Sequence, residues 1–315
     1  MKLAAKLIKI ILVGFLILIA IVMILFGYKD KSVNELKEKY AAVSSAFIAV
    51  EDMEVHYRDE GSKTDSLPLV LIHGTGSSLQ TFDAWAAALK KEKRVIRMDI
   101  PAFGLTGPFP NRQYSIDHYV DFIHHFLSAL GVEKCILGGN SLGGQIAWNY
   151  TAQYPAMVQK LILIDAAGYP IQSQSVPIGF KMARTPVLKN IMTFITPRFM
   201  VKESVQNVYA DKAKVTDMLV DRYFDLTLRQ GNRQALVDQL NLVGDTSPVQ
   251  LIKNIQQPTL ILWGEKDLLI PIKFAYLFHN DLPNDTLVIL KNMGHVPMEE
   301  SPQESLAPVL EFLKK

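Results

Sequence analysis

Among its 315 residues the chain has a single cysteine, Cys135. One thiol excludes an internal disulfide framework and any metal site built from several thiolates. It stands in an apolar run, Cys135-Ile136-Leu137, and reads as a small buried hydrophobe. A block of Lys and Arg is also missing. Net charge is +2, but residues 1–31 hold five Lys against one Asp, so the remainder carries −2. A near-neutral body without a basic patch excludes the electrostatic footprint of a nucleic-acid binder. Internal repeats and low-complexity tracts are absent as well, which excludes solenoids and arrays.

Charge is missing from one further place. Residues 10–28, IILVGFLILIAIVMILFGY, run without an ionisable acid or base of the Asp, Glu, Lys or Arg type. Such a run is long enough to span a bilayer as a helix. It exceeds the usual signal-peptide core, and no small-x-small cleavage site follows closely, so an uncleaved single-pass anchor is expected. Lys2, Lys6 and Lys9 precede it; Lys29, Lys31, Lys37 and Lys39 follow. The short basic tail favours the amino terminus in the cytoplasm and the body on the non-cytoplasmic side.

Past a charged, helix-prone connector at 32–45, apolar runs alternate with helical patterns. Strands are expected at 46–50, 53–57, 69–72, 95–98, 136–137, 161–164, 259–262 and 287–290. Several of these runs are apolar on both faces, as buried parallel strands are. Helices are expected at 80–90, 116–130, 145–153 and 302–313. The alternation predicts an α/β protein with a mostly parallel sheet. One connection is far too long for a simple crossover. Residues 170–257 contain no clear strand, are rich in Met, Phe, Val and Leu, and read as helix at 179–183, 187–195, 214–228 and 233–242. A helical lid over 171–250 is expected at the C-terminal edge of the sheet, where open α/β sheets bind ligands. The expected division is therefore an anchor at 1–31, a connector at 32–45, a core at 46–170 and 251–315, and the lid.

The densest motif is Gly138-Gly139-Asn140-Ser141-Leu142-Gly143-Gly144. Gly-x-Ser-x-Gly between a strand and a helix is the nucleophile-elbow pattern. The turn holds the serine hydroxyl proud of the sheet, at a helix N-terminus that favours developing negative charge. A serine needs a base and an orienting acid. In this architecture they follow it in the order acid, then histidine. Only His279 and His295 come after Ser141. His295 lies in a loop just past the last expected strand, whereas His279 falls in a helical run. Asp267, in Trp263-Gly264-Glu265-Lys266-Asp267, is expected as the acid, with Asp165 and Glu265 as competitors at strand ends. Asp99 precedes the serine and is expected to fix its own loop. Leu142 should supply one oxyanion N–H, and Thr75, in His73-Gly74-Thr75-Gly76-Ser77-Ser78, the other. His73 is expected to shape that loop. The loop lacks the ending of a phosphate-binding P-loop.

With HGTGSS, DIPAFGLTG, GNSLGG, WGEKD and MGHVPMEESP in that order, the chain resembles the α/β-hydrolase superfamily from about residue 46 to its end. The resemblance implies the α/β-hydrolase fold with its inserted lid, here joined to an N-terminal transmembrane helix. It implies catalysis by Ser141, His295 and Asp267, with no cofactor and no metal. HGTGSSLQTFDAW and GNSLGGQIAW, joined to the anchor, look most like membrane-associated bacterial lipases and esterases and the monoacylglycerol-lipase-like branch. The partner implied is then a small-molecule ester or lipid, met at the membrane that holds the N-terminal helix. GNSLGG is also similar to the elbow of meta-cleavage C–C hydrolases. Those typically carry Trp soon after the catalytic histidine, where Val296-Pro297-Met298 stand here. Haloalkane dehalogenases and epoxide hydrolases carry Asp at the elbow, and Ser141 speaks against both. A non-catalytic ligand-binding homologue is the third reading. Nothing in the sequence sets an oligomeric state.

Overall fold

Hydropathy alone divides the expected strands into two-faced and one-faced runs, and the sheet follows that division. The computed structural model describes residues 2–170, 172–242 and 248–315. The strands are β1 (Ser45–Val50), β2 (Met53–Glu60), β3 (Leu69–Ile72), β4 (Val95–Met98), β5 (Cys135–Asn140), β6 (Val158–Ile164), β7 (Thr259–Gly264) and β8 (Asp285–Leu290). They form one sheet in the order β1-β2-β4-β3-β5-β6-β7-β8. The β1–β2 and β2–β4 pairs are antiparallel, and every pair from β4 to β8 is parallel. The α/β fold expected from the sequence is the fold observed.

Helices α3 (Asp83–Leu89), the short α12 (Pro297–Glu300) and α13 (Pro302–Lys314) cover one face of the sheet; α4 (Ile116–Ala129), α5 (Leu142–Gln153) and α11 (Lys273–Asp281) cover the other. Successive strand residues feed opposite cores. Val70, Ile72, Leu161, Leu163, Ile261 and Trp263 pack under α4, α5 and α11; Leu69, Leu71, Ile162, Ile164, Leu260 and Leu262 pack under α3 and α13. The period-two alternation of side chains is thus satisfied by two buried faces, which is why these strands read as unbroken apolar runs.

Between β6 and β7 the described residues are helical: α6 (Ile178–Arg184), α7 (Leu188–Ile191), α8 (Arg198–Val208), α9 (Asp217–Thr227) and α10 (Asn232–Leu240). Residues 171 and 243–247 of the expected lid lie outside the described residues. Two details depart from the sequence reading. The helix expected over 187–195 is a single turn. Val187, directly after Pro186, has φ +68° and starts α7 late, and Ile195 turns away to bridge Gly27. The sequence reading also passes over α8, whose Val201, Val205 and Val208 follow i, i+4, i+7 spacing.

The N-terminal helix α1 (Lys2–Phe26) contains a span, Lys6–Phe26, of mean hydropathy 3.2 that is long and apolar enough to cross a membrane. The chain after it, including α2 (Val33–Tyr40), is stitched to the segment between β6 and β7. Lys31 exchanges backbone hydrogen bonds with Leu228 and Gln230, at 2.7 and 2.9 Å. Asp225 accepts from Lys31 Nζ (2.9 Å), Lys39 Nζ (2.7 Å) and the Tyr40 hydroxyl (2.6 Å). The buried Arg233 donates to Asp30 and to the Tyr28 carbonyl. Residues from about 27 to 40 thus form a strap that ties the end of α1 to α9 and α10.

Candidate active site

Only Ser141 separates the end of β5 from the start of α5. It has φ +57° and ψ −118°, a backbone state that costs a side-chain-bearing residue about 1–3 kcal/mol. The surroundings hold it there. Its N–H donates to Ile164 O at 3.1 Å, and its carbonyl accepts from Gln145 N and Ala167 N, both at 3.0 Å. Two glycines permit the approach. A Cβ at Gly143 would sit 2.2 Å from Ile72 O, so α5 meets β3 only without one. A Cβ at Gly74 would sit 2.9 Å from Ser141 Cβ, so its absence brings the HGTGSS loop against the serine.

His295 comes from the loop after β8. That loop is clamped from both sides: His295 N donates to Val208 O at 2.8 Å, and Asn140 Nδ2 donates to His295 O at 2.9 Å. Asn140, the neighbour of Ser141, thereby ties the elbow to the histidine. Glu300 adds a third hold, accepting from Gly294 N (2.8 Å), Ala210 N (3.2 Å) and Asp211 N (2.8 Å). The glutamates of MGHVPMEESP thus fasten the histidine loop to the end of α8. The sequence reading did not assign them a role, because the partners lie about ninety residues away.

Asp267 lies in the turn after β7, buried with His295. Its Oδ2 meets His295 Nδ1 at 2.6 Å, and its Oδ1 accepts from Leu269 N at 2.8 Å and Ile270 N at 2.9 Å. With Nδ1 committed to the carboxylate, the imidazole has Nε2 left for the cavity that His295 shares with Ser141. The structure thus gathers Ser141, His295 and Asp267 at one sheet edge. His279, by contrast, is half-exposed on α11 and pairs with Asp285 at 2.9 Å.

Asp165, the competing acid, is close by. It directly follows β6, with φ +44°, and is fully buried. Its Oδ1 accepts from Gly264 N at 2.8 Å, while its Oδ2 has no hydrogen-bond partner among the described residues. One ligand-type atom each from Asp165, Asp267 and His295 lie within 4.8 Å of one another. These atoms are engaged with one another: His295 Nδ1 donates to Asp267 Oδ2, and Asp267 Oδ1 accepts from two backbone N–H groups. Burial, and then the negative charge of Asp267, push the Asp165 carboxyl well above the usual carboxylate range. Two adjacent buried carboxyls do not both ionise, and the one with fewer donors keeps the proton.

That assignment makes a stability prediction. A carboxyl whose folded pKa is raised costs stability as pH climbs from its unfolded pKa toward its folded one. Asp165→Asn removes this cost. The melting temperature of the variant relative to the parent should therefore rise as pH increases from about 4 toward neutral and above. A difference that stays constant, or shrinks, across that pH series would mean that Asp165 is ionised.

The loop after β3 carries the expected oxyanion donor Thr75. Thr75 lines both cavities described below, beside Ser141, and Leu142 opens α5. The first N–H groups of a helix have no intrahelical acceptor. His73 is fully buried, and desolvation holds its imidazole below the ordinary range, so it stays neutral. Ile100 N donates to its Nε2 at 3.1 Å, so its Nδ1 carries the hydrogen and donates to Gly74 O at 2.8 Å.

A second serine–histidine–aspartate array was not foreseen. His56 Nδ1 meets Asp99 Oδ2 at 2.7 Å, and His56 Nε2 meets Ser45 Oγ at 2.8 Å. Arg58 Nε also donates to Ser45 Oγ, at 3.2 Å. Asp99 accepts in addition from Leu79 N (2.7 Å) and Leu105 N (2.8 Å), so it pins the two loops that flank the elbow. His56 sits on β2 among alternating polar residues. Only the β1–β2 register brings it beside Ser45.

Two cavities meet at Ser141. The first is the narrower and lies between the elbow, the HGTGSS loop and the helices that follow β6. Its wall is largely apolar, built by Phe180, Met192, Ile195, Met200, Val205 and Leu236 together with Ser141 and His295. The second is more open and more polar, with Gln145, Arg184, Gln239 and Gln250 in its wall. Thr75, Ser141, Phe180 and Leu269 line both.

The sheet order, the strained serine and the matching of residues 68–302 to the alpha/beta hydrolase fold place the chain in that family, and it is a member of it. Among similar proteins is Lipase 3 of a Moraxella species, 27% identical over 259 residues that cover 78% of this chain and 77% of the lipase. Another is 2-hydroxy-6-oxo-6-(2'-aminophenyl)hexa-2,4-dienoic acid hydrolase of Metapseudomonas resinovorans, 24% identical over 91% of this chain and 96% of that enzyme. The crystal structure of a bacterial membrane phospholipase A superposes with a TM-score of 0.70 at 24% identity, covering 99% of this chain and 98% of that one. At that identity the structural likeness is one of fold.

Proposed function

We propose that the protein hydrolyses carboxylic esters with lipid-like acyl chains, through an acyl-enzyme on Ser141. The observation that carries this reading is the apolar cavity that ends on Ser141 beside a more polar, open one. Its walls suit an acyl chain on one side of the serine and a departing alcohol on the other. Ser141 Oγ attacks the ester carbonyl while His295 Nε2 takes its proton. Asp267 holds the tautomer and stabilises the imidazolium. The N–H groups of Thr75 and Leu142 receive the oxyanion. His295 then protonates the leaving alkoxide, and water, activated by the same histidine, releases the acid. The helices between β6 and β7 act as the lid of the acyl site, and α1 anchors the chain in a membrane. The body lies on the non-cytoplasmic side, which protease protection in intact cells would test. The Moraxella relative, a lipase by name, is consistent with this class of substrate.

Each methylene buried in the cavity contributes up to about 0.8 kcal/mol, or roughly fourfold in kcat/KM. Across p-nitrophenyl esters of graded length, kcat/KM should climb from two carbons and then level off as the cavity fills. The C–C hydrolase reading is kept by the dienoic acid hydrolase relative. A flat or falling profile, together with clear turnover of a dienoic ring-cleavage product, would replace the ester reading with that one. No turnover of either class would favour a binding protein.

A further inference from the structure

One stretch of the body is rich in exposed apolar side chains and in basic residues, and it is joined to the end of α1. Residues 171–202 contain five Lys or Arg and no Asp or Glu. On the same stretch Val187 (69%), Leu188, Ile191, Phe194 (64%) and Phe199 (52%) are exposed, an unusual concentration for a water-facing wall. Arg198 and Lys202 are engaged with Asp217 and Asp221, while Lys181, Arg184 and Lys189 form no ion pair among the described residues. Cations interspersed with Phe, Leu and Ile are the composition of a segment that lies in a lipid interface.

The position of this surface relative to α1 decides what covers it. Thr196 N donates to Phe26 O at 3.1 Å, Gly27 bridges Ile195, and the rings of Phe26 and Phe199 meet edge to face at 6.0 Å. The stretch is thus fastened to the last turn of the apolar helix. The 21 residues of Lys6–Phe26 rise about 31 Å, close to the hydrocarbon thickness of a bilayer. Their C-terminal end falls at the membrane–water boundary, and α7 and the start of α8 fall beside it. The other side of the same stretch supplies Met192, Ile195 and Met200 to the apolar cavity.

We infer that the face carrying Val187, Leu188, Ile191, Phe194 and Phe199 is a second membrane contact, seated in the headgroup layer of an anionic bilayer by α1. It rests on the reading of α1 as a membrane helix. The body then lies with its acyl cavity one helix thickness from the lipid instead of swinging freely on a tether. The strap from residue 27 to 40, fixed to α9 and α10, keeps that orientation.

Site-selective fluorescence on the full chain tests this. Cys135 is buried, and burial pushes its thiol up to about 12, so it stays unlabelled while an exposed introduced cysteine reacts. Phe194→Cys, Ile17→Cys and Glu92→Cys would each carry an environment-sensitive nitrobenzoxadiazole label. Glu92 is exposed before β4, at the sheet edge opposite Ser141. The proteins would be reconstituted in phosphatidylcholine–phosphatidylglycerol vesicles with or without nitroxide lipid. The labels at 194 and 17 should show blue-shifted emission and lose intensity to the nitroxide, the first to a shallow quencher and the second to a deep one. The label at 92 should show neither. Quenching at 17 without quenching at 194 overturns the surface and leaves the anchor standing. Absence of quenching at both overturns both. As a functional arm, Phe194→Asp should lower hydrolysis of a long-chain ester held in vesicles about tenfold or more, the loss of one buried aromatic contact. Turnover of p-nitrophenyl acetate should be unchanged. Equal turnover of the vesicle substrate by parent and variant would count against the surface. Quenching at 194 in a protein that cleaves no ester would leave the surface intact and remove the enzymatic reading.

Discussion

Ser141→Ala is expected to lower ester turnover by on the order of 10⁶-fold, the scale of losing a nucleophile that works as a unit with its base. Labelling by a fluorophosphonate probe should vanish with it. The fold should survive, because the elbow is held by backbone hydrogen bonds that alanine keeps: residue 141 N donates to Ile164 O, and its carbonyl accepts from Gln145 N and Ala167 N. A melting temperature near that of the parent would confirm that activity and not structure was lost. His295→Ala should cost a similar factor. The Ser45–His56–Asp99 array supplies an internal check. Ser45 has a histidine and an aspartate in line, but its hydroxyl accepts from Arg58, and Asp99 is spent on two backbone N–H groups. Labelling that persists in Ser141→Ala and disappears only on further Ser45→Ala would mean that this second array is reactive.

Asp267→Asn is expected to cost on the order of 10⁴-fold in kcat, since an amide facing Nδ1 favours the wrong imidazole tautomer. The amide oxygen can still accept from Leu269 and Ile270, so the turn after β7 should hold and KM should change little. Asp165→Asn should leave kcat within a few fold. A carboxyl already held neutral by burial loses little when replaced by a neutral amide of the same shape. The reverse pattern, with full activity in Asp267→Asn and its loss in Asp165→Asn, would move the acid to the end of β6. Measuring both variants on one soluble ester separates the assignments, because burial alone does not: the two carboxyl groups are almost equally hidden.

Those two aspartates also mark where local sequence pattern stops discriminating. Both stand just after a buried strand, and both strands deliver them to the same sheet edge. Local pattern says no more than that. The choice rests on where the His295 loop lands, and that loop is placed by Asn140, Val208 and Glu300, contacts spread across the whole chain. The sequence did determine the two-faced strands, the elbow at Ser141 and the apolar run of α1. Each is written in neighbouring residues, through side-chain alternation, glycine spacing and unbroken hydropathy. Helix α8 was legible in principle in its valine spacing, but the prolines around it and the short α7 masked the period. Tertiary structure alone decided the Ser45–His56–Asp99 array, the strap on α9 and α10, and the seating of Phe26 against Phe199. In each case the partners come from segments that only folding brings together, and no pattern of neighbouring residues records a contact made across that separation.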